Sequence, residues 1–92
     1  MSNKLQNWYA KQCNGDWEHM QGVKIETSDN PGWFIKVDLE FTPLHNKTAR
    51  GSTDGVDWEF IGGQLIAYAD GAEGLTNLLA VTGECLTTEE KV

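Results

Sequence analysis

Ninety-two residues, 39% of them hydrophobic and 10% aromatic, suffice for one small core and are too rich in large side chains for a disordered chain. The net charge of −7 resides wholly in the second half: residues 1–50 carry six basic and six acidic side chains, residues 51–92 one basic and eight acidic. That balance argues against a nucleic-acid binder, which needs Lys and Arg to displace counterions from phosphate, and it suits a basic protein partner drawn in by its field.

The opening MSNKLQNWYAKQ lacks the layout of a secretory signal, and no apolar run approaches bilayer-spanning length, so the expected location is the cytoplasm. Leu5, Trp8, Tyr9 and Cys13 recur at helical spacing, opposite Lys4, Asn7 and Lys11. They predict a helix from about Asn3 to Gln12, with Ser2 or Asn3 as its cap and Asn14-Gly15 as a left-handed exit. From Val23 the period becomes two: Val23, Ile25 and Thr27 face one way, Lys24, Glu26 and Ser28 the other. Asn30-Pro31-Gly32-Trp33 places proline and glycine at the centre of a type II turn, leading into a second strand in which Trp33, Ile35, Val37, Leu39 and Phe41 share a face.

Thr42 to Gly55 has no apolar rhythm and reads as a surface loop. Val56, Trp58 and Phe60 then alternate with Asp57 and Glu59, a third strand with an acidic outer face. Gly62-Gly63 turns a further hairpin into Leu65–Ala69, or else marks a bulge in one long strand. Leu75, Leu78, Leu79, Thr82 and Leu86 return to helical spacing, with Asp70 and Glu73 or Thr76 as caps and Gly83 as a weak point. The expected fold is a single α+β domain over residues 1–92: an antiparallel three- to four-stranded meander sheet with an N-terminal and a C-terminal helix packed on it.

Little in this chain points to chemistry. Cys13 and Cys85 are too few and too far apart for a disulfide scaffold or a zinc site, and they read as two reduced thiols. Cys13 falls at a helix C-terminus, where the dipole is negative, with Asp16 and Glu18 close behind; a reactive thiolate wants the opposite surroundings. His19, flanked by Glu18 and Asp16, and His45, in the predicted loop, give only a weak signal of an acid–base pair, without a cationic cluster beside them to hold a phosphate. No phosphate-cradling loop or metal-ligand spacing is present, and no cofactor is expected. Asp54, Asp57, Glu59, Asp70 and Glu73 do not follow the calcium-loop pattern and read as a solvated or partner-facing acidic surface.

Two stretches carry a resemblance: Trp8-Tyr9 through Gln12-Cys13-Asn14-Gly15-Asp16-Trp17-Glu18-His19, and Asp29-Asn30-Pro31-Gly32-Trp33. With fainter continuation through Thr42, Leu44 and Asp57-Trp58 to the final leucine helix, the sequence resembles the immunity protein 53 family of bacterial polymorphic toxin systems. It departs from that pattern at Gly83-Glu84-Cys85, where such proteins tend to carry an aromatic pair, and over Gly62–Gly74. The resemblance implies an α+β, non-enzymatic protein that neutralises the C-terminal domain of a cognate toxin by binding it. Joined to the charge asymmetry, it implies a basic nuclease as partner, met by Asp54, Asp57, Glu59, Asp70 and Glu73. The Asp16, Glu18 and His19 segment is the second candidate surface, and the four tryptophans serve as framework. The alternative from another class is a small thiol- or histidine-dependent enzyme, a sulfurtransferase using Cys13 or a hydrolase using His19.

Overall fold

The computed structural model describes residues 4–87. In chain order its elements are α1 (Lys4–Gln12), α2 (Trp17–Met20), β1 (Val23–Ser28), β2 (Gly32–Asp38), β3 (Ala49–Thr53), β4 (Val56–Ile61), β5 (Gln64–Asp70) and α3 (Leu75–Thr87). The α+β class and the two terminal helices match the expectation from sequence; the proposed Ser2 or Asn3 cap of α1 lies outside the described residues. The strands form one antiparallel sheet of five, in the order β1-β2-β5-β4-β3, in place of a three- to four-stranded meander. The hairpin β1-β2 and the meander β3-β4-β5 are joined by pairing of β2 with β5, from Gly32↔Asp70 to Asp38↔Gln64.

The alternation of the strands sorts the sheet into two faces. Ile35, Val37, Val56, Phe60, Leu65 and Ala67 point to one side and are buried there, beneath α3, which contributes Leu78, Val81 and Leu86. The other face is covered by no helix among the described residues and carries Phe34, Lys36, Asp57, Glu59, Ile66 and Tyr68. Helix α1 packs on α3 and adds Leu5 and Trp8 to the core. Trp8 meets Trp17 edge to face, with ring centroids 5.9 Å apart at 84°, and the Trp17 indole N–H donates to the Glu40 carbonyl at 2.8 Å, fastening α2 to the end of β2.

Four local expectations give way. The segment read as a loop from Thr42 to Gly55 contains β3, closed onto β4 by the turn Asp54-Gly55, whose φ values of +51° and +81° are those of a tight hairpin turn. Gly32 is the first residue of β2 and has no positive φ, so no type II turn forms around it. Its lack of a side chain serves packing, since a Cβ there would lie 2.5 Å from the Tyr68 hydroxyl oxygen. Phe41 does not continue the buried face of β2: the strand ends at Asp38, and Phe41 stands 82% exposed with φ +65°. Helix α3 starts after Gly74, whose carbonyl accepts from the Leu78 amide at 3.0 Å, and the Asp70 carboxylate takes the Tyr68 hydroxyl at 3.3 Å instead of capping the helix. The glycine pair Gly62-Gly63 does form the β4-β5 turn, with φ values of +62° and +80°.

Gly83, read from sequence as a weak point in its helix, is where α1 and α3 touch. A Cβ at Gly83 would lie 2.8 Å from the Leu5 amide nitrogen and 2.8 Å from the Lys4 Cβ. The Lys4–Glu84 ion pair, at 2.6 Å, spans the same crossing. Gly83→Ala gains about 1 kcal/mol of helix propensity, whereas overpacking costs about 1–3 kcal/mol; the obstacle is backbone, so the clash prevails. Gly83→Ala is therefore expected to lower the melting temperature, and an unchanged or raised value would show that α1 can ride away from α3 freely. One residue earlier in α3, Thr82 Oγ1 is fully buried and has no hydrogen-bond partner among the described residues. Thr82→Val keeps the shape and removes the stranded hydroxyl, and an increase in unfolding free energy of about 1 kcal/mol is expected in denaturant titration.

Candidate functional site

The register of the sheet decides which acidic residues meet. Pairing of Thr53 with Val56, Val56 with Ala69, and Gly32 with Asp70 brings three connections to one end of the sheet: the β1-β2 turn at 29–31, the β3-β4 turn at 54–55 and the β5-α3 loop at 71–74. Asp54, Asp57, Asp70 and Glu73, which span twenty positions of sequence, are all exposed there. Glu59 lies two residues along β4 from Asp57 on the open face, about 7 Å away. Asp29 joins the same end from the β1-β2 turn.

These connections are tied to one another. The Gly71 amide donates to the Pro31 carbonyl at 2.9 Å, the Trp33 indole N–H to the Ala72 carbonyl at 2.8 Å, and the Asn77 side-chain amide to the Asp54 carbonyl at 3.4 Å. Trp33 and Trp58 are thus framework residues of this end, as Trp8 and Trp17 are of the other; the Trp58 ring lies over Gly51, where a Cβ would come within 2.7 Å of it.

Among the acidic groups stands an aromatic residue that the sequence did not single out. Tyr68, on the open face of β5, is flanked by Asp57 across β4, donates to Asp70 and lies 3.5 Å from the Ser28 hydroxyl. With Arg50, Ser52, Asp57, Glu59 and Ile66 it lines an open concavity of about 570 Å³. The signal was available: in Gln64–Asp70 the inward set is Leu65, Ala67 and Ala69, which leaves Ile66 and Tyr68 as large apolar groups on the face without helices. The combination of half-buried tyrosine, aliphatic neighbour and carboxylate rim can hold a basic protein surface, with the ring supplying contact area and the rim supplying charge.

Asp16, Glu18 and His19 sit at the opposite end of the sheet, next to the start of β1 and the end of β2, separated from the first group by the length of β5, about 20 Å. Glu18 has a structural task there. Its carboxylate accepts the Asn14 and Gly15 amides at 2.9 and 2.8 Å, while Asn14 Oδ1 accepts the Asp16 and Trp17 amides at 2.9 and 3.0 Å. Its own backbone amide, then those of Asn14 and Gly15, hold the Glu18 carboxyl below the usual range. A depressed folded-state pKa contributes stability above the unfolded value that disappears as pH falls through the folded one. Glu18→Gln is accordingly expected to lower the melting temperature at pH 7, with the difference from the parent closing on acidification below the ordinary carboxylate range.

The chemistry open to the thiols and imidazoles is limited. Cys13 is exposed and its Sγ donates to the Tyr9 carbonyl at 3.4 Å. Cys85 borders a cavity of about 430 Å³ with Lys47 and Trp58, and burial pushes its thiol up to about 11, which keeps it protonated at neutral pH. His45 lies 3.1 Å through Nδ1 from the Thr42 carbonyl, inside a turn whose Thr42 hydroxyl also bonds Leu39 and Leu44, and His19 is exposed on α2. Among the described residues no three His, Cys, Asp or Glu side chains gather as a metal-ligand group, and no helix is long and apolar enough to cross a membrane.

Comparison with known proteins gives a single kind of match. No curated protein and no solved structure matches the chain. The family model described as Immunity protein 53 matches residues 2–81, which takes in both helices' packing partners, the whole sheet and the start of α3. That match covers most of the described sheet and helices, and the chain belongs to the immunity protein 53 family.

Proposed function

We propose that this immunity protein acts in the cytoplasm by binding one cognate toxin domain, a basic nuclease, through the end of the sheet that carries Asp54, Asp57, Glu59, Asp70 and Glu73, with Tyr68 at its centre. The observation that carries the reading is the convergence of those carboxylates, from two connections and two strands, around an exposed-face aromatic side chain. A cationic active-site cleft is complementary to such a surface. Carboxylates can occupy the positions of substrate phosphates, and long-range attraction raises the rate of encounter. Immunity calls for fast capture, since free toxin acts while it waits.

A second docking surface is favoured by a specific observation at the opposite end. Phe41 is 82% exposed in a left-handed conformation, and Met20, at the end of α2, is 78% exposed. A bulky side chain held at positive φ and presented to solvent is costly without a use, and together with Asp16, Glu18 and His19 it marks the alternative place for the toxin.

Three measurements separate these readings. Reversal of Asp57 and Glu59 to lysine is expected to slow association with the toxin domain and to flatten its salt dependence, while the melting temperature stays nearly unchanged; an unaltered association rate rejects this face. Tyr68→Ala is expected to weaken the complex by about 30-fold, chiefly through faster dissociation, whereas Phe41→Ser leaves affinity intact; the reverse pattern moves the toxin to the α2 end. Cys13→Ser and His19→Ala are expected to retain full protection of cells, which excludes chemistry at those atoms; loss of protection by folded Cys13→Ser would instead support the thiol-dependent enzyme.

A further inference from the structure

Among the described residues the outer strand β1 has a partner on one side only. The Asp38 amide donates to the Gly22 carbonyl at 3.0 Å, which makes Gly22 and Asp38 a hydrogen-bonded pair of the antiparallel ladder. Such pairs alternate along a ladder. In the register Val23↔Val37 to Ser28↔Gly32, the amides and carbonyls of Lys24, Glu26 and Ser28 therefore point into the sheet, and those of Val23, Ile25 and Thr27 point to the free edge. The edge is uninterrupted, with six consecutive pairs to β2 and neither proline nor bulge. Ile25, at its middle, is 44% exposed. Beside it an apolar groove of about 420 Å³ runs between β1 and α1, lined by Leu5, Gln6, Tyr9, Gly22, Val23 and Ile25.

We propose that β1 pairs with β1 of a second copy of this chain, antiparallel about a two-fold axis at Ile25, to give one continuous ten-stranded sheet. Charge selects this occupant and this register. With Ile25 opposite the partner's Ile25, Lys24 stands opposite the partner's Glu26 and Glu26 opposite the partner's Lys24. Both are non-hydrogen-bonded pairs, in which facing side chains come closest. A slip by two residues either way sets Lys24 against the partner's Lys24 or Glu26 against the partner's Glu26, so a single register is favoured. Within one subunit Lys24 faces Lys36 across the ladder, and neither Lys24 nor Glu26 has an ion-pair partner among the described residues. The partner's Glu26 offsets that like-charge pair. Ile25 of each copy extends the buried face of the sheet beneath the α1 groove of the other. The other outer strand, β3, offers no such match: a two-fold at Gly51 sets Arg50 against the partner's Ser52. The axis is normal to the sheet, so the two carboxylate-bearing ends point in opposite directions, clear of the interface.

Sedimentation velocity from about 1 µM to about 1 mM tests the proposal on the full chain, with circular dichroism as the check on folding. The parent is expected to form dimers. Lys24→Glu alone and Glu26→Lys alone each turn both cross-strand pairs repulsive and are expected to weaken the dimer by about tenfold or more. The double variant Lys24→Glu/Glu26→Lys restores attraction with the signs exchanged and is expected to recover it. A parent that stays monomeric throughout overturns the proposal, as does a dimer indifferent to both single reversals. A monomer whose affinity for the toxin domain follows these substitutions also overturns it, by assigning the edge to a strand of the toxin.

Discussion

The pairing of β2 with β5 is the constraint on which the rest of this structure depends. It joins a hairpin made early in the chain to a three-stranded meander made late, and it turns β2 and β5, which would otherwise be outer strands of those two units, into interior strands alongside β4. Ile35, Val37, Leu65 and Ala67 are consequently buried against α3 to 1% exposure or less. It also sets the β5-α3 loop beside the β1-β2 turn. Had β3 paired with β2, as in a simple meander, β5 would be an outer strand three places from β2, and the bond from Gly71 to Pro31 could not form.

The parts legible in the sequence are those in which a local period answers a local burial. Val56, Trp58 and Phe60 against Asp57 and Glu59 define β4, and the leucines from Leu75 define α3, because one face of each is buried. β3 was not legible by that means: Ala49-Arg50-Gly51-Ser52-Thr53 is an edge strand with small residues on its inner face, where Gly51 makes room for the Trp58 ring. The Asp54-Gly55 dipeptide was the available sign of a hairpin, and it lies within the stretch that composition assigns to a loop. Gly83 illustrates the same limit from the other side. Its cost to the helix is local and readable; its use, to let α1 approach within backbone contact, belongs to a pair of elements nearly eighty residues apart.

The acidic residues themselves were readable one at a time, their gathering was not. Asp54, Asp57, Asp70 and Glu73 come together only through the ladder registers, and the same registers separate them from Asp16, Glu18 and His19. The polar run around Cys13-Asn14-Gly15-Asp16 stands out in the sequence as if it were a site. Much of it is a local structural device: Asn14 and Glu18 satisfy four backbone amides between two helices that would otherwise end in unpaired donors.

The bonds from Gly71 to Pro31, from Trp33 to Ala72 and from Asn77 to Asp54 turn three connections that would otherwise move independently into one rigid platform. Ordering loops on association commonly consumes part of the gain from new interactions. Here that ordering is completed during folding, so on the proposed docking at this end a partner would meet a surface already in its final shape. Discrimination would then be sharp, because a poorly fitting protein could not be accommodated by rearrangement of the turns.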